Sequence, residues 1–254
     1  MKIATWNVNS LKVRLPHLLQ WLEANPVDVL CLQETKLTDD KFPCAEINAA
    51  GYQVAFSGQK TYNGVAILSK HAIADVVKNN PRYPDEQQRI IAATIEGMRI
   101  VCAYVPNGQT VDSDKYVYKL AWLASLREWL DEEMRTHAHL ALLGDYNIAP
   151  EDRDVHDPLA WTDQVLCSDK ERAALTALVE LGLADSFRLF EQAEKSFSWW
   201  DYRQLGYQKN KGLRIDHILL SPTLAKRCVA CAIDRVPRKW AQPSDHAPVI
   251  ATLE

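Results

Sequence analysis

The chain has 254 residues, of which 47% are apolar and 24% are charged, and its formal net charge is −4. This composition is typical of a folded globular protein, so an intrinsically disordered chain and a general polycation are excluded. No run approaches the roughly 18 consecutive apolar residues of a membrane span, and the N-terminus lacks a signal peptide's apolar segment. We therefore expect a soluble cytoplasmic protein that does not bind membranes.

Apolar runs and turn residues predict many strands and few helices. The predicted strands are 1–6, 27–33, 63–69, 89–96, 98–105, 139–143, 184–188, 197–201, 214–220, 228–235 and 248–253. Helices are predicted between the first two strands, over about 113–136, and from a capping box at Ser168 and Glu171 to Gly182. Residues 148–166 are predicted to be irregular.

Helices inserted between groups of strands favour two packed β-sheets with helices outside them, an α/β sandwich. The chain has no Gly/Ser tract, low-complexity linker or short repeat, so we expect residues 1–254 to form a single domain. Cys228 and Cys231 form a C-x-x-C in a predicted strand. We expect these thiols to be structural and to face opposite sides of the sheet.

Five short polar clusters occur where predicted strands begin or end: WNVNS at 6–10, LQETK at 32–36, GDYN at 144–147, RIDH at 214–217 and SDH at 244–246. A regular core has no use for polar residues at these places, so they indicate a site. Carboxylate and amide oxygens suit Mg²⁺ or Mn²⁺, whereas zinc prefers Cys and His. The pattern predicts a metal-dependent phosphoester hydrolase with seven candidate residues, Asn7, Glu34, Asp145, Asn147, Asp216, Asp245 and His246.

Phosphodiester hydrolysis needs a cation, a group that handles water, and stabilisation of the leaving oxygen. Glu34 ends a buried strand and is expected to bind the metal, with a plain salt bridge as the alternative. Asn7 could offer its amide oxygen to the ion, hold Glu34, or act only as a turn residue.

A paired Asp and His form the second half of this hypothesis. Asp216 would orient the imidazole of His246, which as a cation could bind a phosphate oxygen and as a base could deprotonate water. Asp145 could orient water or protonate the leaving oxygen, and Asn147 could donate to the phosphate. A D-x-N sequence at a strand end is, however, also a common turn.

Basic residues are concentrated near the C-terminus. Residues 200–240 contain nine Lys or Arg and three Asp, a local balance of 9 − 3 = +6. This segment predicts a face that meets a polyanion, with a merely solvated basic surface as the alternative.

These clusters, in their order and spacing, resemble the exodeoxyribonuclease III family of abasic-site repair nucleases within the endonuclease/exonuclease/phosphatase superfamily. The resemblance covers nearly the whole chain and implies a four-layer α/β sandwich with the site between two mixed sheets at one rim. The motifs that carry it are KIATWNVNSL, DVLCLQETK, GQKTYNGVAILSK, YVPNG, LLGDYNIAP, DVHDP, FSWWDYR, GLRIDHILLS and SDHAPV.

The resemblance also implies roles for residues that match the family's motifs. Glu34 would be the principal Mg²⁺ ligand, supported by Asn7 and Asp245. Asp216 and His246 would form the acid–imidazole pair beside the phosphate. The remaining catalytic candidates are Asp145 for the water or leaving group, and Asn147 and Tyr104 for phosphate contacts.

The implied substrate is double-stranded DNA with abasic sites or 3′ ends. Trp199, Leu213 and Ile215 would build an apolar pocket that admits a base-less deoxyribose and excludes an intact nucleotide by size. Arg203 and the basic segment would follow the DNA backbone. His217, where the family usually has an apolar or aromatic residue, could add a second titrating group near the site.

The implied enzyme is a Mg²⁺-dependent phosphodiesterase, with Mn²⁺ as an alternative ion. It would cut 5′ of abasic sites, remove 3′-blocking groups and trim 3′-terminal nucleotides, and we expect a monomer that is nucleoid-associated if bacterial. The alternatives are a superfamily member acting on a lipid phosphoester and a DNA-binding module without catalysis.

Overall fold

The computed structural model describes residues 1–254 and contains fourteen β-strands and five α-helices. The strands are β1 (Lys2–Asn7), β2 (Val29–Gln33), β3 (Gln53–Ser57), β4 (Val65–Ser69), β5 (Ala74–Lys78), β6 (Ile90–Ile95), β7 (Met98–Tyr104), β8 (Leu140–Asp145), β9 (Ala184–Asp185), β10 (Trp199–Trp200), β11 (Gly212–Leu213), β12 (Asp216–Leu220), β13 (Cys228–Ile233) and β14 (Val249–Leu253). The helices are α1 (Leu11–Ala24), α2 (Cys44–Ala49), α3 (Asp114–Thr136), α4 (Asp169–Val179) and α5 (Pro222–Ala225). No helix combines the length and the apolar character that crossing a bilayer requires.

Twelve of the strands form two six-stranded mixed sheets. The first has the order β13-β14-β1-β2-β4-β3 and the second the order β5-β6-β7-β8-β12-β9. Each sheet contains one parallel pair at its centre, β1 with β2 and β7 with β8, and its other pairs are antiparallel. The remaining strands, β10 and β11, form a separate two-stranded ribbon.

Three apolar layers hold the molecule together. Residues of both sheets, such as Ile67 and Ile100, interdigitate in the central layer. Leu123 and Leu178 of α3 and α4 pack on the outer face of the second sheet, and Trp21 of α1 packs on the outer face of the first. The order helix, sheet, sheet, helix confirms the predicted four-layer α/β sandwich.

Local differences from the predicted elements have physical reasons. β3 and β5 are edge strands and were not predicted: their apolar runs are only two or three residues long, β3 is mostly half-buried, and β5 is largely exposed. Residues 184–188 form only a two-residue strand followed by a 3-10 helix at Ser186–Leu189. The expectation that Cys228 and Cys231 face opposite sides of the sheet is wrong: a β-bulge in β13 turns both thiols into the central core.

The sheet registers place the polar clusters at one rim. Asn7 ends β1 opposite Gln33, and Tyr104 at the end of β7 lies opposite Asp145 at the end of β8. Asp216 begins the antiparallel β12 and is also paired with Asp145. β14, which follows the SDH cluster, pairs with β1, so this cluster lies at the same rim.

Candidate active site

The loops at this rim adopt unusual backbone conformations. Asn9, Glu34, Lys36 and Asn147 all have positive φ values between 42° and 54°. Such values are uncommon for residues other than glycine, and clusters of them occur at functional sites. At Gly144 the backbone passes too close to the neighbouring strand for a side chain: a Cβ there would lie 1.8 Å from the carbonyl oxygen of Ala103.

Asp216 and His246 form a buried ion pair at the centre of the rim. His246 Nδ1 lies 2.9 Å and 3.1 Å from the two carboxylate oxygens of Asp216, and the two residues are 3% and 1% exposed. Burial opposes the charged imidazole, but Asp216 and Asp145 outweigh it and raise the pKa of His246 to about 10. Below that pH the imidazole is a cation that donates to Asp216 and presents Nε2 toward Asp145.

Asp145 lies on the other side of this imidazole. Its Oδ2 is 3.7 Å from His246 Nε2 and accepts a hydrogen bond from Asn7 Nδ2 at 2.9 Å. The backbone N–H of Asn147 donates to its Oδ1 at 2.9 Å. Burial raises the pKa of Asp145 to about 7, with His246 opposing and Asp216 reinforcing the rise.

Glu34 completes the acidic centre. Its Oε1 accepts from Asn7 Nδ2 at 2.8 Å and from the hydroxyl of Tyr104 at 3.0 Å, and its Oε2 lies 2.9 Å from Lys36 Nζ. Burial would raise the pKa of Glu34, but Lys36 and Asn7 outweigh it and lower that pKa. Tyr104 therefore contacts a carboxylate in this arrangement, and burial raises its own pKa well above the usual value.

The donor set fits a hard divalent cation. Oxygens of Glu34 and Asp145 and a nitrogen of His246 all lie within 4.8 Å of one another. Two carboxylates at this separation repel, and a divalent cation between them would relieve that repulsion. Asn7 points its Nδ2 at both carboxylates and accepts from the N–H of Asn9 through Oδ1 at 2.9 Å. In this orientation Asn7 holds Glu34, and its amide oxygen faces away from the carboxylates.

Asp245 occupies the edge of the site. Its Oδ1 accepts from Asn9 Nδ2 at 2.9 Å, and its Oδ2 accepts from Trp199 Nε1 at 3.0 Å. Lys36 Nζ donates to Asn9 Oδ1 at 2.6 Å, so Lys36 and Asn9 lie between Asp245 and Glu34. Asp245 is not part of the three-residue cluster that could hold a metal, and its metal-binding role stays a prediction.

The predicted apolar pocket is closely packed. Leu213 is 0% and Ile215 1% exposed, and both belong to a small apolar cluster with Leu166, against which the half-buried Trp199 packs. Trp199 pairs with Leu213 across the β10–β11 ribbon and forms an isolated bridge with His246. The three predicted residues thus lie together, and Trp199 places them beside His246.

Two of the nine basic residues in segment 200–240 are buried, and two exposed ones pair or stack with neighbouring side chains. Arg203 is held by Asp201, and Arg214 is 1% exposed and paired with Asp154 and Asp185. Arg235 and Arg238 stack on an aromatic cluster that includes Trp200 and Tyr207. Seven basic residues of the segment are exposed: Arg203, Lys209, Lys211, Lys226, Arg227, Arg235 and Lys239. The +6 count therefore includes two buried cations that this segment does not present to a ligand.

His217 does not join the site. Neighbouring residues of a strand face opposite sides, so His217 points away from Asp216. Its Nε2 donates to the carbonyl of Ile148 at 2.9 Å and its Nδ1 accepts from Arg214 at 3.0 Å. Burial lowers the pKa of His217, and the charge of Arg214 lowers it further. With Nδ1 accepting a hydrogen bond, His217 is a neutral structural residue.

Four residues near the site were not singled out from the sequence. Asn9 and Lys36 connect Glu34 with Asp245, and Asn107 Nδ2 donates to Asn147 Oδ1 at 3.1 Å. The hydroxyl of Ser198 accepts from the N–H groups of Ile215 and Asp216 at 3.1 and 3.0 Å, which fixes the start of β12. All four lie in motifs that carry the resemblance, and this position was the only available signal.

Comparison with known proteins agrees with this geometry. Residues 4–246 match the model of the endonuclease/exonuclease/phosphatase family. The exodeoxyribonuclease III of Haemophilus influenzae is 38% identical over the full length of both chains.

Solved structures give the same result. A 3′–5′ exonuclease from Neisseria meningitidis is 47% identical with a TM-score of 0.98, and the similarity covers 100% of both chains. An AP endonuclease from Archaeoglobus fulgidus is 40% identical with a TM-score of 0.97, over 100% of this chain and 99% of that chain. The Neisseria enzyme was also solved as a 3′ phosphatase with a product DNA hairpin. The chain belongs to the endonuclease/exonuclease/phosphatase family and is an exodeoxyribonuclease III-like hydrolase, with DNA-repair nucleases as its homologues.

Proposed function

We propose that this protein is a Mg²⁺-dependent DNA-repair phosphodiesterase that acts on 3′ ends and 5′ of abasic sites. The observation that carries the proposal is the buried array Asp216–His246–Asp145 beside Glu34, in which one imidazolium stands between carboxylates at the rim of two sheets. A module that only binds DNA would have no use for buried carboxylates facing a phosphate.

The pKa values of His246 and Asp145 indicate different roles for the two residues. With a pKa of about 10, His246 is an imidazolium at neutral pH and would neutralise a non-bridging phosphate oxygen through Nε2. With a pKa of about 7, Asp145 is poised to accept the proton of the attacking water. Of the two roles considered for His246, we therefore favour phosphate binding and assign water activation to Asp145.

Glu34 is the residue that would hold Mg²⁺, next to Asp145 and His246. When bound, the ion would neutralise charge on the phosphate and stabilise the leaving oxygen. Mn²⁺ has similar ligand preferences and is the expected substitute. Tyr104 and Asn7 orient Glu34 because both donate to its Oε1, and neither donates to its Oε2.

The packing of the apolar cluster bears on substrate choice. Cleavage at an internal abasic site requires the deoxyribose to enter among Trp199, Leu213 and Ile215. Removal of a 3′-terminal phosphate requires only that this phosphate lies beside His246. Leu213 and Ile215 are almost completely buried, so little space is open to an abasic sugar. We therefore propose that removal of 3′-blocking groups is the faster activity. The Neisseria 3′ phosphatase at 47% identity is consistent with this order.

The test compares one purified sample on three substrates: a duplex with a 3′-phosphate nick, a duplex with an abasic site, and an intact blunt duplex. We expect the rates to fall in that order and to vanish in EDTA. Leu213→Ala should open the pocket and raise abasic cleavage relative to 3′-phosphate release, at a cost of roughly 2–5 kcal/mol in stability. Turnover of a lipid phosphoester without any DNA cleavage would overturn the proposal.

The remaining elements of the proposal concern the protein's setting. We propose that residues 1–254 act as a single catalytic domain and as a monomer. The six cysteines are free, which suits a reducing cytoplasm, and in a bacterium the DNA substrate would place the protein at the nucleoid. Size-exclusion chromatography with light scattering tests the monomer directly.

A further inference from the structure

A fully buried ammonium group lies behind the site. Lys119 of α3 is 0% exposed, and its Nζ donates to the backbone carbonyl of Asn147 at 2.7 Å and to that of Asn107 at 3.1 Å. Its third partner is the carboxylate of Glu171, which is also 0% exposed. One cation thus holds two separate loops of the catalytic rim at their backbones.

The two loops carry side chains that meet at Asp145. Asn107 Nδ2 donates to Asn147 Oδ1 at 3.1 Å, and the N–H of Asn147 donates to Asp145 Oδ1 at 2.9 Å. Asn147 has a φ of 49°, a conformation that persists only where its surroundings enforce it. The bond from Lys119 is the contact that ties the carbonyl of this residue to α3.

Glu171 connects the same cation to the long loop that precedes α4. Its Oε1 accepts from the N–H of Leu166 at 3.0 Å, and its Oε2 accepts from the N–H of Ser168 at 3.2 Å in the capping box of α4. A buried ion pair is seldom better for stability than an apolar pair of the same volume. What an apolar pair could not do is donate to two carbonyls at once.

We propose that Lys119, neutralised by Glu171, is a positioning residue that holds Asn147 and thereby the carboxylate of Asp145 in its reactive orientation. The assignment rests on the proposed function above. Because Lys119 has no exposed surface, it cannot touch DNA, and its loss should lower kcat without changing affinity for the substrate.

The test uses the variant pair Lys119→Met/Glu171→Gln, which removes both charges and keeps similar volumes and a capping-box residue. The matched control is Arg99→Met/Glu133→Gln, because this pair also anchors α3 but lies at the opposite end of β7. Both pairs should lower the melting temperature. Only the Lys119→Met/Glu171→Gln pair should lower kcat on a 3′-phosphate nick, by roughly 10–100-fold, with KM unchanged.

A double-mutant cycle with Asp145→Asn separates positioning from general bracing, because Lys119 reaches Asp145 through the backbone carbonyl and N–H of Asn147. If Lys119 acts through the carboxylate of Asp145, the Lys119→Met/Glu171→Gln pair should have less than about a threefold effect on kcat once Asp145 is already asparagine. An undiminished effect in that background, or a kcat equal to that of the control pair, would overturn the assignment. Should the double variant melt below the assay temperature, Glu171→Gln alone must show a smaller kcat loss with the same dependence on the carboxylate of Asp145.

The two proposals fail in different ways. Wild-type protein without activity on any DNA substrate would refute the proposed function and, with it, the positioning role of Lys119. Active wild-type protein whose variants at Lys119 keep normal kinetics would refute the positioning role alone.

Discussion

Replacement of Asp216 by asparagine should change the pH at which His246 loses its proton. Asp216 is the largest favourable influence on the imidazolium, ahead of Asp145, and burial opposes both. Raising the pKa of His246 from 6.5 to about 10 corresponds to roughly 5 kcal/mol in favour of the charged form. In Asp216→Asn we expect this pKa to fall back toward 6.5, because a neutral amide no longer stabilises the cation.

The kinetic consequence depends on pH. At about two pH units above its pKa, an imidazole is only about 1% protonated, so at about pH 8.5 the variant should lose roughly 100-fold in kcat. Near pH 6 the variant's imidazole is mostly protonated again, and the loss should shrink to a small factor. The assay is a kcat profile from about pH 5.5 to pH 10 on a 3′-phosphate nick, with NMR titration of His246 in EDTA.

Stability should change in the same pH window. The folded-state pKa of His246 lies above the unfolded value, so its contribution is complete below pH 6.5 and disappears as the pH rises through about 10. The stability of Asp216→Asn should therefore depend less on pH between these values. The control is Glu133→Gln, which breaks an ion pair with Arg99 far from the site. An equal kcat loss at both pH values, or an unchanged His246 titration, would refute the reasoning.

Two further predictions concern the cation and the DNA. Mg²⁺ at about 100 times its dissociation constant should stabilise the wild-type protein by roughly 2.7 kcal/mol, and Glu34→Gln should abolish both this thermal shift and turnover. A normal shift in that variant would remove Glu34 from the metal site. Lys209→Glu/Lys211→Glu should weaken DNA binding and reduce the slope of log affinity against log salt by about 2. The matched pair Lys226→Glu/Arg227→Glu, which lies beyond the opposite end of β12, should leave that slope unchanged, and identical slopes in both pairs would argue against DNA contact at 209–211.

The sequence was sufficient to predict where the site lies. Strand-terminal polar clusters had to meet once their strands were sorted into two sheets, and Glu34, Asp145 and His246 do lie together. The alternation rule also predicts that His217 faces away from Asp216, so its expected proximity to the site was an avoidable error. The hydrogen bonds of the site were harder to predict from the sequence. The contact of Tyr104 with Glu34, for example, depends on the register between the strands.

Long-range charge pairing could not be predicted. Lys119 and Glu171 are 52 residues apart and Arg214 and Asp154 are 60 apart, and nothing in either segment identifies its partner. The net charge of a segment is therefore a poor guide to its surface until the buried pairs are known. The bulge that turns Cys228 and Cys231 to one side is similarly invisible, because one extra residue in a strand leaves no compositional trace.

The pairing of the first strand with the last has a consequence for synthesis on the ribosome. β1 has β14 as one of its two partners, and the hydroxyl of Ser244 donates to the carbonyl of Asn7 at 2.7 Å. A nascent chain that has not yet emerged past His246 lacks the imidazole and leaves the edge of β1 uncovered. Nuclease activity should therefore appear only after β14 has been translated, and products terminated before His246 should lack nuclease activity.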